Sequence, residues 1–281
     1  MNLPERLIRD LSELAHQDDH SFDALKAAFL VSKILKPSAR LESYDNQISD
    51  IIAQLDKRFR QLCNYQSVLE AKVSSLQLIL SQDMGFHGDE DAFDDLDHLN
   101  LFSVLDHKCG TALSLSLLYL HCAQACGWSI HALNFPGYSL ICLDESNKRT
   151  ILDPFHGCVE IDTYTLRQMI KVIGGAEAEL QPELYQNLSP KTLSMRYIAS
   201  IKAHFLRCQQ IDKALDILQA SLCLEPESAA FWRETGLLQA RTGQLEEAID
   251  SLNVSLKYTT DGDAIRHVQH IVQDLEKKTE D

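Results

Sequence analysis

The sequence predicts an α+β fold that is mostly α. Three observations carry this. Apolar residues recur at spacings of three and four through most of the first 80 residues, as on amphipathic helices. Alternation of period two is confined to the stretch from Trp128 to Ile161. From about Ser194 the composition is helical again, and a segment repeats after 34 residues. A chain of 281 residues also exceeds one typical domain, with two as the expectation.

The elements follow in order. Leu7, Leu11 and Leu14 mark a first helix, and Ile48, Ile51, Ile52, Leu55, Phe59 and Leu62 a later one, with a break at Pro37-Ser38. A further helix spans Tyr65 to Leu80, with Val68, Leu69, Val73, Leu76 and Leu80 on one stripe. Gly85-Phe86-His87-Gly88 is a turn signal. The most apolar helix runs from Thr111, a good N-cap, to Cys126, with Gly127 closing it. Apolar residues cover nearly all its faces, which predicts a central, buried helix. Trp128–Leu133, Tyr138–Leu143, Arg149–Leu152 and Val159–Ile161 read as short antiparallel strands, with 144–148 as a hairpin loop. One helix packed on a small sheet is the expected core. Residues 162–193 read as a connector with one helix near Leu166–Ile173. The expected division is 1–161 (helical to about 84), the connector, and 194–281.

Charge narrows the partners. The formal net charge is −15, from 41 acidic and 26 basic side chains. Phosphate backbones and anionic membranes would be repelled, so neither nucleic acid nor membrane is expected as a partner. Eight acids and no Lys or Arg lie between Asp83 and Asp106, with the densest run at Asp89, Glu90, Asp91, Asp94, Asp95 and Asp97. As a calcium loop this run fails, because Phe93 takes a ligand position and the turn Gly and terminal Glu are missing. It reads as a solvated loop. The N-terminus lacks the apolar stretch of a signal peptide, and no segment is long and apolar enough to span a bilayer. The expectation is a cytoplasmic protein with reduced thiols.

The repeat superposes Ile211-Asp212-Lys213-Ala214-Leu215-Asp216-Ile217-Leu218 on Leu245-Glu246-Glu247-Ala248-Ile249-Asp250-Ser251-Leu252. A period of 34 with Ala at the tight contact resembles the tetratricopeptide repeat, in which two helices pack as a hairpin. Trp232 and Gly236 take the usual large and small positions of the second copy, where the first copy has Ile198 and Lys202. Residues 264–277 fit a capping helix, with Ile265, Val268, Ile271, Val272 and Leu275 turned inward. On this register Arg196, Arg207, Arg233 and Arg241 fall on or beside the groove face of the first helices, a candidate site for an acidic peptide or the carboxy-terminal end of a protein. The alternative is that these arginines pair with acids of the same molecule, the Asp89–Asp97 run among them.

Between the two helical regions, Gly85-Phe86-His87-Gly88, Val104-Leu105-Asp106-His107-Lys108-Cys109-Gly110, Leu113-Ser114-Leu115-Ser116, Phe135-Pro136-Gly137-Tyr138 and Ile151-Leu152-Asp153-Pro154-Phe155 occur in one order and spacing. In these words the sequence resembles the SirB-type transglutaminase-like family, which also carries a helical N-terminal region and C-terminal tetratricopeptide repeats. The resemblance implies a small papain/transglutaminase-like core. The wider superfamily uses a Cys-His-Asp triad, with the thiol at a helix N-terminus. Carried over by residue, the nucleophile position is Ala112, the His position is Tyr138, and only Asp153 remains. Ala112 has no nucleophile, and a phenol with an ordinary pKa near 10 is a poor base at neutral pH. The resemblance therefore implies the fold and argues against the chemistry.

Cys109, with His107 or His156 as base, is the candidate for a displaced thiol. Cys122, Cys126, Cys142 and Cys158 lack paired C-x2-C spacing and read as buried apolar cysteines; no metal site and no cofactor is expected. Asp153, ahead of Pro154, can serve simply to hold a turn. The leading functional expectation is a non-catalytic interaction or regulatory protein whose partner is a protein or peptide. The alternatives are a cysteine-dependent acyl hydrolase or transferase, and small-molecule binding in the former active-site cleft.

Overall fold

A computed structural model describes residues 3–19, 21–90 and 95–280. Asp91, Phe93 and Asp94 of the acidic run lie outside the described residues. The protein forms two compact units. One is Asp18–Tyr197; the other joins the residues up to Gln17 to those from Ile198 onward.

The first helix, α1 (Glu5–Ala15), belongs to the second unit and packs on a helix some 200 residues later. Its buried face, Leu7, Leu11 and Leu14, is the stripe expected from sequence. The partner differs from the expectation, which grouped this helix with residues to 161. Periodicity says which face a helix buries but not what covers it.

In the first unit, α2 (Ala24–Leu35) starts at Asp23, whose carboxylate accepts from the Lys26 N–H at 3.0 Å. Next come α3 (Leu41–Leu62) and α4 (Val68–Leu76). Ser67 and Glu70 cap α4 reciprocally, and the helix widens into a π-helical stretch, Gln77–Asp83. β1 (His87–Gly88), α5 (Leu96–Leu99), α6 (Leu101–His107) and β2 (Cys109–Gly110) follow. β1 and β2 pair in parallel, His87 opposite Cys109 and Gly88 opposite Gly110. α7 (Ala112–Ala125) is central as expected: Leu115, Leu117, Leu118, Tyr119, Leu120, Cys122 and Ala123 are all buried.

β3 (Ile130–Leu133), β4 (Ile141–Glu145), β5 (Lys148–Asp153) and β6 (Val159–Ile161) form the antiparallel meander. The β4–β5 loop is shorter than expected. Asp144 pairs with Arg149 and Glu145 with Lys148, leaving only Ser146 and Asn147 in the turn. Both adopt positive φ, 49° and 66°, as a two-residue turn of right-handed strands requires. After α8 (Thr163–Gly174) comes β7 (Asn187–Leu188), which pairs with β3 and completes the order β6-β5-β4-β3-β7. The segment expected to be a connector thus supplies an edge strand and a covering helix. Leu166 and Ile170 of α8 join Leu133, Phe135, Leu140 and Cys142 in one apolar cluster. Two residues are too few to show alternation, so β7 left no signal.

α9 (Pro190–Arg207) leads to α10 (Ile211–Leu224), α11 (Ala229–Arg241), α12 (Leu245–Tyr258) and α13 (Gly262–Glu280). In the second unit α11 and α12 pack as an antiparallel hairpin, with Ala248 and Leu252 buried under Val268, Val272 and Leu275 of α13. Lys202 of α9 reaches Glu234 of α11 and lies 5.9 Å from the Phe231 ring centre. Among the described residues, no helix is long and apolar enough to cross a membrane.

Candidate functional site

A helix N-terminus offers unsatisfied N–H groups and a positive dipole end, and the first turn of α7 satisfies part of that demand internally. The Thr111 hydroxyl accepts from the Ser114 N–H at 3.2 Å. Ser114 O–H and Thr111 N–H both donate to the His98 carbonyl, at 2.9 and 3.0 Å. These bonds pin α5 against the start of α7. The other side of α5 is fixed by a buried polar network. Asn100 accepts from the Phe102 N–H at 2.9 Å and donates to the Ser32 carbonyl at 3.3 Å. Tyr197 O–H donates to the Leu99 carbonyl at 2.5 Å and lies 2.8 Å from the Ser32 hydroxyl.

Ala112 is the first residue of α7, half-buried, with a methyl where a nucleophile would stand. One turn on, Ser116 O–H donates to the Ser139 carbonyl at 2.7 Å, so the loop holding Tyr138 runs beside this helix. The Tyr138 ring itself packs into the Leu133–Ile170 cluster, 6.1 Å from the Phe135 ring centre. Asp153, buried, ends β5, and the turn Pro154–His156 that follows packs on α7. Its two oxygens are committed locally: Oδ1 accepts from the Phe155 N–H at 3.0 Å and Oδ2 from His156 Nδ1 at 2.7 Å.

His156 is therefore the partner of Asp153, three residues away. Its other nitrogen, Nε2, lies 3.2 Å from Glu90 Oε1. Facing carboxylates on both ring nitrogens favours the doubly protonated imidazolium. The hydrogen bond to Asp153 raises the His156 pKa above the ordinary histidine value, and Glu90 adds to it. Because the folded-state pKa is raised, the stabilisation is fully present below the unfolded value of about 6.5 and is lost as pH rises through the folded value. The side chain is half exposed, so the effect on stability is modest. In an NMR titration of the His156 ring protons, the midpoint is expected above that of a free histidine. Asp153→Asn should lower it more than Glu90→Gln; equal midpoints in all three proteins would refute the pairing.

His156, one of the two candidate bases for a displaced Cys109 thiol, thus has both ring nitrogens turned to carboxylates. Cys109 instead meets His98 and Asp89: one ligand atom from each lies within 4.8 Å of the others. Burial raises the Cys109 thiol pKa, and the charges of Asp89 and Asp95 raise it further. That disfavours the thiolate a nucleophile needs. Sequence reasoning misses His98 and Asp89, because both look like parts of a solvated acidic loop. The parallel pairing of β1 with β2 sets His87 opposite Cys109 and so carries Asp89, the residue after β1, into its neighbourhood; no local pattern announces a parallel pair. Burial likewise raises the Cys126 and Cys142 thiols to about 11, and Cys122 and Cys158 higher still.

The described residues of this unit enclose cavities away from the triad positions. One of about 490 Å³ is lined by Phe22, Leu117, His121, Trp128, His131 and Leu193, among others. Another of about 460 Å³ lies near Pro136, Ile173 and Gln181. Neither is lined by Ala112, Tyr138 or Asp153, so neither is the expected cleft left by the triad.

Of the four arginines, Arg196 falls in the sheet-bearing unit, where its guanidinium donates to Asn134 Oδ1. Counting along a repeat cannot tell where one unit hands a continuous helix to the next. Arg207, Arg233 and Arg241 lie in the repeat unit and are exposed. Arg233, Leu237 and Arg241 stand four residues apart on α11, and Leu237 is itself 38% exposed.

Comparison with known proteins bears on the two parts of the fold. Residues 42–199 match the family described as the transglutaminase-like superfamily, and residues 201–273 match a tetratricopeptide repeat family. A UPF0162 protein of Xylella fastidiosa strain Temecula1 is 24% identical over 252 residues, 88% of each sequence. One from Vibrio cholerae is 26% identical, over 78% of this sequence and 81% of its own. Among solved structures, menin, described with its binding site for the Mixed Lineage Leukemia protein, aligns over 94% of this protein and 73% of its own length. Its TM-score is 0.35 at 12% identity.

Proposed function

This chain belongs to the transglutaminase-like superfamily, and from that premise we propose that it is a non-catalytic member, a cytoplasmic interaction protein whose repeat unit binds an acidic segment of another protein. The single observation carrying the reading is the exposed strip Arg233–Leu237–Arg241 on the first helix of an otherwise well-packed repeat hairpin. Repeats of this kind generally mediate protein–protein contact. An exposed leucine between two guanidinium groups suits a short acidic segment with one apolar anchor, which would make charge-assisted hydrogen bonds to both arginines. Arg207 is assigned to the same face by its place in the repeat.

Ala112 supports the non-catalytic half of the reading, since the helix start that activates a thiol in the superfamily carries none here. Within the superfamily, the words quoted from Gly85 to Phe155 favour the SirB type. The proposed division is a transglutaminase-like part over 18–197 and a repeat part from Ile198 onward, to which α1 is joined. A displaced-thiol enzyme is the weaker reading, because burial, and after it the acids around Cys109, oppose thiolate formation.

The test uses the full-length protein and fluorescently labelled acidic peptides with a single Leu or Phe. Binding is expected to weaken steeply with salt. The double reversal Arg233→Glu/Arg241→Glu should weaken it at least about tenfold, roughly 1.4 kcal/mol or more. Arg233→Lys/Arg241→Lys should retain part of it. Equal affinity in the reversed and native proteins would remove the strip from the site, and with it this reading.

A further inference from the structure

We infer that Asp89, His98 and Cys109 form a binding site for one divalent transition-metal ion, zinc above the others. The three side chains come from three places. Asp89 directly follows β1, His98 lies in α5, and Cys109 lies in β2. Their ligand atoms all fall within 4.8 Å of one another, although the residues are spread over 21 positions. A tetrahedral zinc with bonds of about 2.0–2.3 Å holds neighbouring ligand atoms about 3.5 Å apart. Closure therefore asks the three ligand atoms to draw together by about an ångström.

The surroundings fit a cation. Thiolate, imidazole and carboxylate together are a borderline-soft donor set, which suits zinc better than magnesium or calcium, whose ligands are oxygens. The Asp95 carboxylate adds negative charge near Cys109. Lys108, the adjacent cation, is turned to the Leu105 carbonyl, 2.6 Å from its Nζ, and lies over the Phe86 ring. The ligands also stand on a fixed frame. The His98 backbone is held by Thr111 and Ser114, and β2 is paired with β1. Such preorganisation lowers the cost of assembling a site. As the metal–sulfur bond forms, the Cys109 thiol proton passes to the buffer, so binding releases one proton. Three protein ligands leave one coordination position open, for a water or for a side chain from elsewhere.

This site is independent of the repeat strip, and its test does not depend on a peptide. The full-length protein is stripped with a chelator and titrated with Co²⁺ as a coloured stand-in for zinc. One equivalent should bind, with a near-ultraviolet thiolate-to-cobalt band and the intense visible bands of tetrahedral cobalt. Cys109→Ser should abolish the near-ultraviolet band with the helical circular dichroism unchanged, whereas Cys122→Ser should leave it intact. His98→Gln and Asp89→Asn should each weaken Co²⁺ binding at least about tenfold. Should a variant misfold, Zn²⁺ added to the native protein gives a second reading: it should displace Co²⁺ and raise the melting temperature. The inference is overturned if no such band forms at stoichiometric Co²⁺, if it survives Cys109→Ser, or if His98→Gln and Asp89→Asn both bind as the native protein does.

Discussion

Gly88→Ala is expected to destabilise the sheet-bearing unit by about 3 kcal/mol, enough to lower its melting temperature by about 10 °C. The argument is steric. A Cβ on Gly88 would lie 2.1 to 2.4 Å from Cδ2, Cε2 and Cγ of Phe155, well inside contact distance. Neither partner can retreat cheaply. Gly88 is held in the parallel pair with Gly110, and Phe155 is held between Pro154 and His156, with its N–H on the buried Asp153. Scanning calorimetry of the two proteins measures the shift. If the contact with Phe155 is the cause, Gly88→Ala/Phe155→Leu should lose less than the sum of the two single changes. An unshifted transition in Gly88→Ala would mean that β1 does not pack on this turn.

Gly236→Ala has the second largest expected effect, and its sign is the informative part. In an exposed helix interior the change would stabilise by about 1 kcal/mol, since Gly is a poor helix former. Here the added Cβ would meet Leu252 Cγ at 2.7 Å and the Ala248 backbone oxygen at 2.9 Å. The leucine can turn away, but the backbone oxygen moves only if α12 moves. The clash should win, with a net loss of about 1–3 kcal/mol in denaturant melts of the full-length protein. Adding Leu252→Ala should not rescue it, because the backbone contact remains. A stabilised Gly236→Ala would show that α11 and α12 approach less closely than the glycine allows.

Much of the fold was legible because it rests on strong local patterns. α7 is apolar on almost every face, the meander alternates, and Ala214 and Ala248 mark the repeat. These are short-range signals, and the structure places helices and strands where they predict them. What escaped depended on pairing at a distance. β7 is two residues, α1 found its partner across most of the sequence, and β1–β2 is a parallel pair of two residues each. The same division holds for the candidate site. The triad positions carry over from the family resemblance, but the Asp153–His156 pair is missed: in sequence His156 reads as a base for Cys109, and Asp153 as a turn residue without an imidazole partner. His98 and Asp89 are missed as well, because their meeting with Cys109 is set by strand register and by bonds from α7 to the His98 carbonyl. The buried Ser32–Asn100–Tyr197 network was equally silent, since each of these residues is ordinary at the surface.

Three thiols have no exposure at all. Cys122, Cys142 and Cys158 are completely buried, on α7, on β4 and beyond the Pro154–His156 turn. Cys63 and Cys208 are exposed. An alkylating reagent should therefore modify the exposed pair at once and reach the three interior thiols only when the surrounding packing opens. The protein thus holds its own clock for such openings. Mass spectrometry of labelled peptides would time separately the central helix, the mid-sheet strand and the turn behind Asp153, and so reveal whether they breathe as one body or come apart in sequence.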